Sequence, residues 1–593
     1  AGRVDLQEGW FPPIDGIAGR ILLEDGVLTF RGLKGNTGGV SFEEIEGSQE
    51  GLFSGRTLLR VRGRGEALIK PLWEQLKGGA PPVELEKVGI PLGELSGKGK
   101  STFSWQTDFA SPSNDKGRIT LGDVNLQLGD GSLSEIKGDL LFLRTRLKAE
   151  RISAPLGKFP VGIRFILSDY WSGRTSFDLT VASPGIGAGE IARWLPLDGA
   201  LVDSGLVRGK LRYRRSMEAD AERTLSGLLE LVGIRMQFSF MVHPLSKISG
   251  KLRFHRQGIG LEKFQGQVGR YGFRFAGNWS YQEKPQLTFS FNSPEMDFAQ
   301  LLPRKRSEFD DWYDRLQAKG TVEVGKGKFE NFAFTDIKTD LVIDQRLWTA
   351  EKFFARSRGG IVRGKVSVLD HVEAVSYSVE PEIEGVPVEE VLSWFDGGTK
   401  EITGNVHLSG SFKSSGRTAD EREKNLDGAF RFHVKNGTLR RFRILARTLN
   451  LMDLSSWFSL KMPDISQEGI RFHRVSGDVK ISQGVYSTED LLMDGDVLRI
   501  TGSGRLNGVK REMNFIIALR PFPKVDSAIN TVPLIGRGLA GIKNTLLVTG
   551  FRVKGPVENP TITSTSLSTL SDFFCKTLAV PKGLIDLQGH KKK

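Results

Sequence analysis

The sequence predicts a mostly β protein: a repeated, curved antiparallel sheet with a few short helices. Three observations predict it: short stretches in which apolar and polar residues alternate, a glycine motif that returns along the chain, and few long helical patterns. Phe177, Leu179 and Val181 alternate with Asp178 and Thr180, and Leu287, Phe289 and Phe291 with Thr288 and Ser290. Met513, Phe515, Ile517 and Leu519 fall on one face of another stretch. Side chains in a strand point to opposite faces with period two, so each stretch has one greasy face and one wet face. Strands of that kind usually pair antiparallel with one face solvated.

The glycine motif is apolar, any, Gly, any, apolar, any, apolar. It occurs at Val207–Tyr213, Ile248–Phe254, Val362–Val368, Ile402–Leu408, Leu426–Phe432 and Val475–Ile481, with a looser copy at Ile17–Leu23. In each copy the glycine shares the apolar face, where missing bulk lets a strand bend or coil sharply. A longer repeat has a strand ending in Ser183-Pro184, Ser293-Pro294 or Glu380-Pro381, followed by a short helical stretch at 190–195, 297–302 or 388–395. Copies stand roughly 90–110 residues apart, a spacing suited to a meander of several strands per unit. These helices are too short to stand alone and are expected at an edge or end of the sheet. Longer helical candidates are 304–319, 440–458, 521–544 (broken at Pro533) and 566–580, and 107–116 reads as a loop.

Composition narrows the classes. The chain has 593 residues, 71 of them Gly, and carries a formal net charge of +13. Its 37 Phe far exceed its 7 Tyr, so whatever the aromatic residues face is mostly apolar. One cysteine, Cys575, excludes a disulfide framework and a Cys-rich metal site. No apolar run approaches the ~20 residues of a membrane helix. The opening AGRVDLQEGW has neither a basic start nor an apolar segment, so the expectation is a processed piece of a longer protein.

Patterns that carry chemistry fail on inspection. GELSGKGKST has five residues between Gly93 and Gly99 where a phosphate-binding loop needs four, and it leads into an alternating stretch. Gly63-Arg-Gly65 lacks the third glycine of a dinucleotide fingerprint. The histidines at 243, 255, 371, 407, 433, 473 and 590 have no partner at metal-ligand spacing, and most read as solvated side chains opposite the apolar face. No Gly-x-Ser-x-Gly elbow is present. Basic clusters such as Arg304-Lys-Arg306 and Arg440-Arg441 are scattered among acidic residues, against a nucleic-acid footprint. The expectation is a non-enzyme with no cofactor and no metal.

From about 425 to 565 the chain resembles the C-terminal domain of the AsmA-like family. The resemblance runs through Asn425–Phe430, Val434–Leu439, the stretch RILARTLNLMDL, Phe472–Val479, Ile481–Val485, Leu498–Gly504, Val532–Gly536 and Val553–Thr561, in that order. Within the family it is most similar to YhdP-type members. The resemblance implies 1–424 as repeated β-groove units, 425–565 as the AsmA-like C-terminal domain, and 566–593 as an amphipathic helix with a basic tail. It implies an elongated, coiled antiparallel sheet forming an open apolar groove, which carries phospholipid across the bacterial periplasm. Partners would be phospholipids, the inner and outer membrane surfaces and an envelope protein. The anchor to the inner membrane would be an N-terminal segment outside this chain.

Under that reading the groove-lining candidates are Phe177, Leu179, Leu252, Phe254, Phe289, Phe291, Val366, Leu408, Phe430, Phe432, Ile500, Phe515 and Ile517. Leu534, Ile535 and Leu539 are candidates for docking to a membrane or a partner. Alternating strands also build closed β-sandwiches. An envelope scaffold or outer-membrane assembly factor with a closed, lipid-free core is therefore the alternative, and a carbohydrate-binding solenoid with Trp and Tyr platforms is a third reading.

Overall fold

The computed structural model describes residues 2–4, 14–37, 40–53, 57–68, 96–108, 116–128, 131–143, 145–169, 176–194, 200–216, 224–238, 243–280, 286–298, 317–329, 331–370, 374–396, 402–440, 469–496, 498–521 and 549–565. They form thirty strands and three short helices, in two compact units that divide between Thr288 and Phe289.

The first unit begins with β1 (Gly2–Val4), β2 (Ile14–Glu24), β3 (Val27–Thr37), β4 (Val40–Glu50), β5 (Leu58–Leu68), β6 (Ser96–Asp108), β7 (Lys116–Leu128) and β8 (Gly131–Leu143). It continues with β9 (Arg146–Ser153), β10 (Gly162–Ser168), β11 (Ser176–Gly187), helix α1 (Ala188–Trp194), β12 (Ala200–Ser216), β13 (Thr224–Phe238), β14 (Leu245–His255), β15 (Gly258–Val268) and β16 (Tyr271–Ser280). Each strand from β2 to β16 pairs antiparallel with the next. Among the described residues nothing pairs β2 with β16, so this sheet does not close.

The second unit holds most of β17 (Gln286–Asp297), then β18 (Gln317–Phe329), β19 (Phe332–Asp344), β20 (Leu347–Ser357), β21 (Gly360–Asp370), β22 (Val375–Pro387), α2 (Val388–Asp396), β23 (Asn405–Ser415) and α3 (Ala419–Lys424). Next come β24 (Asp427–Leu439), β25 (Ile470–Ser482), β26 (Val485–Gly495), β27 (Leu498–Asn507), β28 (Glu512–Pro521), β29 (Thr549–Pro556) and β30 (Thr561–Thr565). From β18 to β30 each strand again pairs antiparallel with its successor.

Local chemistry sets the turns. Asp25-Gly26, Arg358-Gly359 and Gln483-Gly484 each have positive φ at both residues, the geometry of two-residue hairpin turns that suit the twist of the flanking strands. Bulges set the curl. Residues in the left-handed region precede a buried apolar residue in strand after strand: Glu135 before Ile136, Gly233 before Ile234, Lys247 before Ile248, Asp336 before Ile337 and Gly385 before Val386. The pairing register shifts around these sites in β8, β13, β14, β19 and β22. Each extra residue bends its strand and increases the local twist.

Two sequence expectations need correction. The strands do not end at their prolines. β11 continues to Gly187, β17 to Asp297 and β22 to Pro387. Pro184 falls in a register shift of β11, and Pro381 stays paired opposite Gly364 in β21, so the missing N–H is accommodated within the sheet. Residues 317–319, the end of the expected helix 304–319, open β18. There Ala318 pairs with Ile343, and Gly320 with Leu341. The remainder of that helix, nearly all of 440–458 and 521–544, and all of 566–593 lie outside the described residues. α1 and α2 form where short helices are expected.

Candidate functional site

Directly paired residues of antiparallel strands point to the same face, so the register converts the alternation into rows that run across each sheet. In the first unit one row passes from Ile21 in β2 through Phe30, Gly47, Val61, Trp105, Gly117, Phe142, Leu147 and Leu167 to Phe177 in β11. The next runs from Leu33 in β3 through Gly63, Phe103, Leu140, Phe165 and Leu179 to Leu225 in β13. In the second unit a row crosses twelve strands from Gly320 in β18 to Gly555 in β29, passing Leu341, Val366, Phe412, Ile481, Tyr486 and Met513.

Aromatic rings pave these rows by lying on glycines. Gly63 faces Phe103, Gly266 faces Phe273, Gly410 faces Phe430 and Gly504 faces Phe515 across a strand pair. A methyl group at Gly63 would stand 2.8 Å from Cζ of Phe103, and one at Gly504 would stand 2.7 Å from Cγ of Phe515. In β17, Phe289 covers Gly320 of β18 in the same way, with Cγ at 2.6 Å from the position of an added methyl. The glycine-rich, phenylalanine-rich composition therefore has a geometric meaning: bare backbone gives the ring a seat and lets the sheet coil beneath it. Neighbouring rings also touch, as in Phe165–Phe177 at 6.3 Å and Phe412–Phe430 at 5.6 Å between centroids.

The thirteen residues chosen from sequence all stand on this face and all are only partly buried. Phe177 and Leu179 belong to the two first-unit rows above. Phe254 lies between Gly227 and Ile259, and Leu252 between Leu229 and Leu261. Val366 is in the twelve-strand row, and Phe291 follows Phe289 two residues along β17, on the same face. Leu408 pairs directly with Phe432. Phe430 connects to Phe515 through Val479, Thr488 and Gly504. Ile500 sits between Met493 and Leu519, and Ile517 between Gly502 and Phe551. Leu534, Ile535 and Leu539 lie outside the described residues.

Sequence reasoning missed Phe30, Trp105 and Phe142. With Gly47, Val61 and Gly117 they line a hollow of about 730 Å³ against six strands of the first unit. At β2 the face is open, with Ile21 56 % and Leu23 53 % exposed. Fuller burial occurs where α2 lies. Val388, Val391 and Trp394 join a core with Val386, Val406, Val434 and Leu519, and the Trp394 ring meets Phe332 and Phe334 at 5.6 and 5.4 Å. Glu390 of the same helix is held by Arg358 at 2.7 Å.

The opposite face is charged and paired. Arg62–Glu46, Arg208–Glu230 and Arg431–Asp478 stand directly across strand pairs at 2.7–2.8 Å. Hydrogen bonding from Arg212 holds the Asp178 carboxyl below its ordinary value, against the opposing effect of partial burial. Two histidines expected as separate solvated side chains instead form a stack. His407 and His433 are paired across β23 and β24 with rings 4.9 Å apart and 15° from parallel. Burial, then His407, Lys435 and Arg474, lowers the affinity of His433 for a proton. Among the described residues no group of three or more His, Cys, Asp or Glu is placed to hold a metal, and no helix is long and apolar enough to cross a membrane.

The arrangement offers an extended apolar surface backed by a charged one. No curated protein matches the chain. The family profile described as YhdP protein matches residues 210–562, more than half of the chain. The match reaches from β12 to β30 and so covers the register rows of the second unit in full. This chain is therefore a member of the YhdP family.

Proposed function

We propose that this protein carries phospholipid between the membranes of the bacterial envelope without chemical change, the acyl chains lying along the apolar rows. It works in the periplasm, held to the inner membrane and delivering toward the outer membrane. The observation that carries this reading is the apolar face itself: row after row dominated by Phe, Leu, Ile, Val and Gly, partly buried rather than packed under a second layer among the described residues. Moving a methylene from water onto such a surface gains about 0.8 kcal/mol, so two acyl chains are held firmly. Displacement along a row exchanges one apolar contact for another of similar energy, so sliding costs little. The surface needs no catalytic group, and the membership of the YhdP family agrees with an envelope role.

The test is purification without detergent, organic extraction and mass spectrometry of what the protein holds. Several phospholipids per chain are expected, with fewer in Phe289→Asp and Phe515→Asp, each of which sets a carboxylate on the apolar rows. A folded protein that holds no lipid, even after incubation with liposomes, would overturn the reading in favour of an envelope scaffold.

A further inference from the structure

Charge is unevenly spread along the chain. Residues 201–280 hold 14 Lys and Arg against 6 Asp and Glu, a surplus of eight out of the +13 carried by all 593 residues. The register of the first unit gathers cations of this stretch on the wet face, beside others from β9 and β10. Lys148 and Arg214 share one row, with Ile166 and Asp178 between them. Arg164 and Arg212 share the next, on either side of Thr180. Lys210 and Arg253 share the third, on either side of Leu228. These six cations meet one carboxylate on their own rows, Asp178, which Arg212 and Arg214 divide between them. Arg253 reaches Glu262 of the row beyond. That fourth row alternates Arg208, Glu230, Lys251 and Glu262 and is balanced. Glu150 and Arg151, at the register shift of β9 beside Arg164, cancel each other. The wet face is therefore neutral on one row and strongly basic on the three next to it.

We propose that this basic patch of β9–β14 is a docking surface for the anionic head groups of a phospholipid bilayer. The inference goes beyond the lipid-carrying reading, because it concerns the other face of the sheet and needs no lipid to leave the membrane. Charge complementarity carries it: clustered Lys and Arg are drawn to an anionic membrane surface, and each adds to the attraction. The make-up of the patch favours lipid over a folded protein. Protein interfaces are built around aromatic or large apolar anchors, and lysine is depleted from them. No aromatic residue stands on these three rows, and Ile166 and Leu228 between the cations are partly buried. Head groups ask only for charge at an accessible surface, and Arg164, Lys210, Arg214 and Arg253 are all exposed.

The experiment is co-sedimentation of the full chain with vesicles of dioleoylphosphatidylcholine, alone or mixed with dioleoylphosphatidylglycerol in about equal parts. Wild type is expected to bind the anionic vesicles and not the neutral ones, and the binding falls steeply as salt rises. Arg164→Gln and Lys210→Gln each weaken it roughly fivefold, the weight of one basic side chain near such a surface. Neither residue makes an ion pair among the described residues, so both variants should keep the wild-type unfolding midpoint, which separates lost docking from lost fold. Lys319→Gln, at an exposed lysine of β18 in the second unit, removes the same charge and should weaken binding less than about twofold. Equal losses at all three positions would mean that the net charge of the chain attracts the membrane, and would overturn the patch. Equal binding to neutral vesicles would place the contact on the apolar face and overturn it as well. No binding to anionic vesicles would overturn it in favour of an acidic protein as the occupant. Phospholipid recovered by organic extraction should be the same in all three variants, so the lipid-carrying reading stands or falls separately.

Discussion

Helices α1 and α2 each follow a strand that carries a proline, and each bears a glutamate in its first turn, yet their described side chains differ in how many are buried. α1 has the sequence AGEIARW, and among its described side chains Ala188 is the buried one, packed with Ile234 and Ile248. α2 is VEEVLSWFD and inserts Val388, Val391 and Trp394 into a core of fourteen buried residues. The backbone plan is shared, and among the described side chains α2 contributes three to a buried core and α1 one. Full burial in the second unit is concentrated where that large helix lies, while the candidate residues beyond it remain partly exposed. Each sheet thus stays together through its hydrogen-bonded ladder and its ring-on-glycine contacts, and among the described residues much of its apolar face is only partly buried.

The largest effect that would break this comparison comes from emptying the α2 contact. Trp394→Ala is expected to cost about 3–5 kcal/mol, through lost burial and the cavity against Phe332 and Phe334. Ile191→Ala in α1, a partly buried position, is expected to cost no more than about 1 kcal/mol. Denaturant unfolding of the two variants measures both, and equal losses would remove the distinction. Trp394→Phe sharpens the point. The indole N–H has no hydrogen-bond partner among the described residues, so no hydrogen bond to them is lost and the cost should stay below about 1.5 kcal/mol.

A second pair of substitutions tests the ring seats. A methyl group at Gly504 meets Cα of Phe515 at 2.6 Å and its Cγ at 2.7 Å, as well as the carbonyl of Asn514. Much of that obstruction is backbone, which yields poorly. Gly504→Ala should therefore cost about 1–3 kcal/mol and displace the Phe515 ring. Gly185 has open space around an added methyl, so Gly185→Ala should change stability by no more than about 0.5 kcal/mol. Thermal unfolding separates the two, and equal shifts would mean that the glycines are not seats.

The bulges carry a smaller, opposite effect. Lys247 holds φ at 52°, a region that costs a side-chain-bearing residue roughly 1 kcal/mol. Lys247→Gly should stabilise the protein by up to about that amount. Lys251→Gly, in the same strand but without a positive φ, should destabilise it by about 0.5–1 kcal/mol. The same sign at both sites would contradict the bulge assignment.

Much of the β character was legible because it is local. Alternation around Phe177, Phe289 and Phe515 marks strands, and pairs such as Asp25-Gly26 mark hairpin turns. The sequence also shows which residues share a strand face, since that needs only period two. Register is not local. Nothing adjacent in sequence to Gly504 announces that Phe515 will lie on it, or that Arg215 will stand opposite Phe177. The bulge residues were hidden for another reason: Lys247 and Glu135 are not residues that advertise positive φ, and tertiary packing of the following Ile holds them there. The His407–His433 stack was missed because the two residues belong to different strands, each reading as solvated by itself.

That stack gives the smallest prediction, and its sign follows from proton binding. Burial, with His407, Lys435 and Arg474, holds His433 below its ordinary value of 6.5 in the folded protein. The unfolded chain therefore binds more protons in mild acid, and stability falls as pH falls. The contribution is complete above about 6.5 and is lost progressively as pH drops below it. Glu384 stands directly opposite His407 on β22, and Arg363 of β21 pairs with that carboxylate at 3.2 Å, while Ser476 of β25 is the partner of His433. His407→Gln removes one of the causes, so the His433 imidazole should titrate closer to its ordinary value by NMR. The loss of denaturation midpoint between pH 7.5 and 5.5 should shrink with it. An unchanged His433 titration in that variant would mean that burial, with Lys435 and Arg474, sets the shift and that the stacked partner contributes nothing.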